Sequence, residues 1–265
     1  MNTSLRPFDR VLAICATVFA VLGAAARLYM LFALYDIENG FYTSAPAHTL
    51  FRACGIAAVI VFFAIGHIYI KEENGAVSLP ENRVLSLWSY LCGAVLGGFL
   101  LYQLVRLAIY NTVGLAGGFA CLFAVFALLY FYTENAKGDF RALFCISNAL
   151  LLLAIVFGVY FDRSIAYVNH SAALFYAAAV FVMLAFLAEG NFRLGRSAYR
   201  RLLSYAPCAA VLSISLALPN IVYAAVTRRA VIVDVYNDVL FLAYGIYFLL
   251  RLYAIASVKP AGDAK

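Results

Sequence analysis

The sequence contains few charged residues. Asp, Glu, Lys and Arg make up 12% of its 265 residues, about half of their share of roughly 25% in soluble domains. Hydrophobic residues make up 66%, in blocks close to the length that a helix needs to cross a hydrocarbon core of about 30 Å. These blocks are apolar on nearly every face, whereas a soluble helix keeps a polar face toward water. The composition excludes a soluble globular domain and predicts an all-α, polytopic transmembrane bundle.

Long polar connections are also missing. No segment between two apolar blocks exceeds about 15 residues, which leaves no room for a soluble domain. We therefore expect a single integral membrane domain over residues 1–265, with about eight helices. The predicted helices cover residues 11–35, 48–70, 85–110, 114–132, 142–161, 170–189, 202–226 and 238–258.

Acidic residues are absent from the middle of every predicted helix. Glu189, the nearest, lies at the predicted end of the sixth helix. Proton relays in pumps and transporters commonly use intramembrane Asp, Glu or His, so a proton-coupled transporter is disfavoured and an intramembrane aspartyl enzyme is nearly excluded. A serine enzyme would need a base beside Ser213 or Ser215, and His67 is expected about half a membrane away. We expect no enzymatic activity.

Metal-binding and redox patterns are missing as well. The three histidines and six cysteines have none of the spacings of a zinc site or a redox pair. No metal and no other cofactor is therefore expected. The net charge of +6 does not indicate a nucleic acid partner, because basic residues in short loops gain about 1 kcal/mol each from anionic lipid. The expected partners are membrane lipids, with a membrane protein partner or a homo-oligomer as further alternatives.

Lys and Arg are unevenly divided between the two sets of alternate loops. Because these residues accumulate on the cytoplasmic side, the richer set is assigned to the cytoplasm together with both termini. The poorer set has three members, Arg163, Arg228 and Arg229. The richer set has twelve, Arg6, Arg10, Lys71, Arg83, Lys137, Arg141, Arg193, Arg196, Arg200, Arg201, Lys259 and Lys265.

Three arginines inside helices recur near one depth. Arg27 lies about 12 Å below the predicted outer end of its helix, and Arg52 and Arg106 lie about 6 Å below theirs, at 1.5 Å per residue. An Arg within the bilayer is costly and needs an explanation. One explanation is that the side chains snorkel to lipid phosphates or pair with acidic loop residues. The residues considered for that pairing are Asp36, Glu38 and Asp162.

The other explanation is a polar layer that binds an anionic group. Gln103, Arg106 and Tyr110 share one face of the third helix, and Asn220 in the seventh helix lies at a comparable depth. Together with Arg27 and Arg52, they are the candidate ligand-binding residues. Two further side chains receive simpler interpretations. Arg251 is expected to snorkel toward the cytoplasm, and Tyr130 to belong to an aromatic interface belt.

The seventh helix contains Pro207 and Pro219. Each proline removes a backbone hydrogen bond, to the carbonyls of Leu203 and Ser215 respectively. Broken helices often mark transport sites, because freed carbonyls can coordinate a substrate or an ion. Proline is also common in membrane helices that merely kink, so a plain kink is the favoured interpretation of this helix break and a transport site is the alternative.

The first loop, Leu34-Tyr35-Asp36-Ile37-Glu38-Asn39-Gly40-Phe41-Tyr42, resembles a segment of bacterial multi-pass membrane proteins that have no assigned activity. The resemblance covers about one hairpin of the chain. It implies an integral membrane location and no particular function.

These patterns favour a non-enzymatic, multi-pass protein of a bacterial-type cell membrane. Its expected function is to bind an anionic lipid headgroup, a small anion or a partner protein through the outer polar layer. One alternative is a solute transporter that uses the proline-containing seventh helix. Another is a structural subunit of a membrane complex.

The charge distribution generates a prediction about topology. In a background without the native cysteines, single cysteines on the outer side should react with an impermeant thiol reagent added to intact cells, and those on the inner side should not. The outer variants are Glu38→Cys, Arg163→Cys and Arg228→Cys. The inner variants are Asn74→Cys, Lys137→Cys and Gly195→Cys. Labelling of the inner set in sealed cells would reverse the assigned orientation.

Overall fold

The computed structural model describes residues 6–36, 41–68, 82–110, 115–133, 140–161, 170–196, 198–231 and 235–257. Within these ranges the chain forms eight helices and one short pair of strands. The helices are α1 (Arg6–Ala33), α2 (Ala45–Ile68), α3 (Arg83–Tyr110), α4 (Leu115–Tyr132), α5 (Phe140–Phe161), α6 (His170–Arg193), α7 (Tyr199–Thr227) and α8 (Val235–Ala256). All eight are long and apolar enough to cross a membrane, which confirms the predicted transmembrane bundle.

The two ends of the bundle are distinguished by what they contain. At the hairpin end, α1, α3, α5 and α7 end and the other four helices begin. This end includes an antiparallel strand pair, β1 (Tyr35–Asp36) with β2 (Phe41–Tyr42), in which Tyr35 lies opposite Tyr42. At the terminal end, α1 begins and α8 ends. The assignment of the hairpin end to the outside stays a prediction.

Several helices extend at one end beyond the limits expected from the sequence. The first begins at Arg6 rather than residue 11, α6 continues to Arg193 rather than residue 189, and α8 begins at Val235 rather than residue 238. Hydropathy detects the part of a helix that lies in hydrocarbon. The backbone stays helical for one more turn of polar residues, such as Asp9 in the first turn of α1.

Helix α7 lies at the centre of the bundle. It packs against α1, α2, α6 and α8, and 72% of its membrane span is buried, compared with 17% for α2. The other helices continue around it through the pairs α3–α8, α3–α4, α4–α5 and α5–α6. Because lipid tails are as apolar as Leu, a central membrane helix is held by close packing rather than by the hydrophobic effect.

Glycines on three neighbouring helices provide this close packing. Gly23 on α1 lies against Ser215, and Gly66 on α2 lies against Ser204. A Cβ at position 245 on α8 would lie 2.9 Å from Ile214 Cγ1, closer than van der Waals contact allows. Small residues thus let three backbones approach α7 from different sides.

Helices α3 and α4 are also in close contact. A Cβ on Gly93 would lie 2.8 Å from the ring of Tyr132, and one on Gly97 would lie 3.7 Å from Leu128. The two glycines, four positions apart, therefore face α4 together, as the small-residue spacing predicts.

Gly66 provides a test of this packing, with Gly55 on the same helix as its control. A Cβ at position 66 would lie 2.9 Å from the backbone Cα of Ser204, whereas nothing lies within 4 Å of one at position 55. Gly66→Ala should destabilise the protein by about 1–3 kcal/mol through overpacking, and Gly55→Ala should be neutral or stabilising. Thermal unfolding of both variants in one detergent measures the difference, and equal melting temperatures would contradict the packing argument.

Candidate functional site

Arg27 is buried inside the bundle near the hairpin end. Its side chain is 2% exposed, and its Nη2 donates to Oδ1 of Asn220 on α7 over 3.0 Å. The Nδ2 of Asn220 in turn donates to Oδ1 of Asp238 over 2.9 Å. Asp238 lies in the first turn of α8 and is 1% exposed. The amide of Asn220 therefore connects a guanidinium on α1 with a carboxylate on α8.

This outer network, Arg27–Asn220–Asp238, assigns Arg27 a structural partner that the sequence did not identify. Arg27 does not snorkel, since protein surrounds it, and in the network its charge is balanced by Asp238 rather than by an acidic loop residue. The carboxylate is also well placed in the first turn of a helix, where the helix dipole favours negative charge. A buried arginine balanced in this way holds three helices together without needing an external anion.

The other candidate ligand-binding residues lie apart from this network. Arg52 is exposed on α2, on the periphery of the bundle. Gln103 and Arg106 are partly buried on α3, which packs against α4 and α8, and the Arg106 guanidinium lies over the Tyr102 ring, 5.8 Å from its centroid. Tyr110 is the last residue of α3, and its side chain lies outside the described part of the structure. Of the six candidates, the structure joins Arg27 and Asn220 by a hydrogen bond.

An open groove of about 360 Å³ lies beside Arg106, where α3, α7 and α8 meet at the hairpin end. One wall is formed by Tyr102 and Tyr236, whose rings stack with centroids 4.2 Å apart. Arg228 and Arg229 also line the groove, and both are exposed. The groove thus combines an aromatic wall with two guanidinium groups.

Arg228 has an unusual backbone conformation. It follows the last residue of α7 with φ 59° and ψ 24°, and its N–H donates to the carbonyl of Ala224 over 2.8 Å. Among the described residues, it is the one non-glycine residue with a positive φ. Glycine is the usual residue at such a helix end, because a side chain is strained in the left-handed region.

Two adjacent arginines, Arg228 and Arg229, are the feature of the sequence that corresponds to this groove. From the sequence alone, both are ordinary loop charges on the side of the membrane that is poor in Lys and Arg. Two adjacent arginines on that side oppose the general charge bias, and only the fold brings them beside Tyr102 and Tyr236.

A second polar network, the inner network, surrounds the carboxylate of Glu189 near the terminal end. Arg193 Nη2 and Arg251 Nη2 lie 2.9 Å and 2.8 Å from its Oε1. The hydroxyls of Tyr130 and Tyr247 donate to the same oxygen over 2.7 Å and 3.0 Å. Glu189 and Arg251 are both fully buried. This network connects α4, α6 and α8.

The inner network corrects two interpretations drawn from the sequence. Arg251 does not snorkel, because Glu189 lies beside it inside the bundle. Tyr130 does not belong to an interface belt, because it is 1% exposed and donates to that carboxylate. Both side chains therefore lie beside Glu189 inside the bundle rather than at its surface. Removing one partner from a buried ion pair such as Glu189–Arg251 is strongly destabilising, because the other charge is left without compensation.

Helix α7 stays helical through both prolines. Pro207 and Pro219 lie inside the segment from Tyr199 to Thr227, and both are buried. Each proline lacks the N–H that would bond to the carbonyl four residues earlier, so the interruption is confined to single hydrogen bonds. The helix does not divide into two halves.

His67 has a serine beside it, but not one of the two considered from the sequence. Its Nδ1 lies 3.3 Å from Oγ of Ser204, which donates to the carbonyl of Arg200 on its own helix over 2.9 Å. Ser204 is fully buried, so a substrate has no access to its hydroxyl. Among the described residues, no group of three His, Cys, Asp or Glu side chains could hold a metal ion.

The outer network generates a prediction about charge balance. Arg27→Met or Asp238→Asn alone should destabilise the protein by about 3–5 kcal/mol, because each leaves one buried charge without its partner. The double variant should lose less than the sum of the two single losses. Arg52→Met, at an exposed position, is the matched control and should change little. Thermal unfolding in detergent measures all four variants, and additive losses would show that Arg27 and Asp238 are independent.

Comparison with known proteins gives no family for this chain. No protein-family model, no curated protein and no solved structure matches it. The geometry by itself shows a multi-pass helical membrane protein, with two buried polar networks and one basic groove.

Proposed function

We propose that this protein binds an anionic group in the groove between α3, α7 and α8, and that it catalyses no reaction. The observation that carries the proposal is the pair Arg228 and Arg229, which line one open groove together with the stacked rings of Tyr102 and Tyr236. Guanidinium groups bind carboxylates and phosphates through paired, charge-assisted hydrogen bonds.

The balance of charge supports the groove rather than the outer network as the anion site. Arg27 is already connected to a carboxylate through Asn220. By contrast, no carboxylate of the described residues forms an ion pair with Arg228 or Arg229. Two exposed guanidinium groups side by side repel each other, and an anion between them relieves that repulsion.

The packing around α7 supports binding over transport. A transport path beside Pro219 would need space around the carbonyl of Ser215. Gly23 brings α1 against Ser215, and Gly245 brings α8 against Ile214. These close contacts fill the volume that a solute would occupy, whereas the groove at the hairpin end is open. The predicted orientation places that groove on the outer side of the membrane.

A thermal-shift experiment in neutral detergent tests this proposal. The probes are inorganic phosphate and short-chain phosphatidylglycerol, added separately. A ligand present at about 100 times its Kd stabilises the folded state by about 2.7 kcal/mol, so at least one probe should raise the melting temperature of the native protein.

The control variants locate the binding site. Arg228→Gln combined with Arg229→Gln should abolish the thermal shift, because both guanidinium groups of the groove are removed. Arg52→Gln removes an exposed arginine elsewhere and should retain it. The absence of any shift with either probe, or an equal shift in the groove variant, would disprove anion binding in this groove.

A further inference from the structure

We propose that the groove binds the phosphate of an anionic membrane phospholipid, which enters from the side of the bilayer, and that Arg228 is held in its strained conformation for this purpose. This inference rests on the proposed function and names the class of ligand. It is carried by the depth of the groove, by its apolar border and by the backbone of Arg228.

The groove lies at the depth of lipid phosphates. The membrane span of α7 ends at Thr227 and that of α8 begins at Val235, so Arg228 directly follows one hydrocarbon-spanning segment. Arg106 is the last residue of the span of α3. Helix ends at this level meet the polar headgroup region, which borders a hydrocarbon core of about 30 Å.

The border of the groove is apolar and exposed. Val235 and Tyr236, which line the groove where α8 begins, are 37% and 48% exposed. In a membrane protein such surfaces face acyl chains. A ligand with one anionic head and apolar tails matches both the arginines and this border, whereas a free anion would use the arginines alone.

The sign of the charges in the groove selects an anionic headgroup. Among the described residues, its lining contains Arg228 and Arg229 and no acidic residue, so these residues offer no carboxylate to a choline or ethanolamine group. The Arg106 guanidinium lies over the ring of Tyr102, which also lines the groove. A headgroup that carries a net negative charge therefore fits better than a zwitterionic one.

The backbone of Arg228 separates a ligand-binding role from a structural one. If this residue only ended α7, glycine would serve better at φ 59°, since it adopts the left-handed region without strain. An arginine at this position strains the backbone but brings a guanidinium to the groove. Stability and binding therefore make opposite demands on the residue at position 228.

The first experiment distinguishes a lipid from a free anion. The protein in neutral detergent is titrated separately with short-chain phosphatidylglycerol, short-chain phosphatidylcholine and inorganic phosphate, and melting temperatures give apparent affinities. Phosphatidylglycerol should bind at least about tenfold more tightly than the other two, a difference of about 1.4 kcal/mol. If phosphate binds as tightly as phosphatidylglycerol, the lipid assignment is wrong while anion binding stands. If none of the three binds, both proposals fail.

The second experiment uses Arg228→Gly. Without lipid, this variant should melt at the same temperature as the native protein or above it, because the strained residue is replaced by one that tolerates the conformation. With phosphatidylglycerol, its apparent affinity should fall by about tenfold or more, as expected for the loss of one charge-assisted contact.

Arg229→Gln is the matched variant, because it removes a guanidinium without changing the residue in the left-handed conformation. It should weaken phosphatidylglycerol binding and leave the melting temperature without lipid unchanged. If Arg228→Gly binds phosphatidylglycerol as well as the native protein does, Arg228 is only a helix end and the inference is overturned.

Discussion

The close approach of neighbouring backbones to α7 is the contact on which the rest of the bundle depends. In a bilayer, the hydrophobic effect does not draw helices together, so association relies on packing and polar contacts. Three glycines, Gly23, Gly66 and Gly245, let α1, α2 and α8 reach α7. This packing sets the spacing of α1, α7 and α8 at which the outer network can form hydrogen bonds of ordinary length.

The arginines of this molecule lie in two different environments, the interior of the bundle and the open groove. Inside the bundle, Arg27 and Arg251 each lie in a network that contains a carboxylate, as the high cost of an isolated intramembrane charge requires. At the groove, Arg228 and Arg229 are exposed, and the described part of its lining contains no acidic residue. The contrast separates arginines that lie in buried networks from the two exposed arginines for which we propose anion binding.

Hydropathy was sufficient to predict the fold class and the number of spans, because both depend on composition over about 20 residues. The position of Arg27 inside the first helix could be predicted too. Its link to Asp238 through Asn220 could not, since it forms only when α1, α7 and α8 pack together. The groove was missed for a related reason. Arg228 adopts the left-handed conformation where the chain leaves α7. A glycine at this position would have indicated such a helix end in the sequence, but an arginine does not.

The position of α8 in both networks has a consequence for membrane insertion during synthesis. Arg27 enters the bilayer with the first helix, and Glu189 with the sixth, but their partners Asp238 and Arg251 both belong to the eighth. Until that helix inserts, Arg27 and Asp238 remain separated, and so do Glu189 and Arg251. The arrival of α8 thus completes both networks. Before it, Arg193 already lies beside Glu189 on α6, whereas the carboxylate of the outer network is still missing, so a nascent chain interrupted at that point would leave the charge of Arg27 without Asp238.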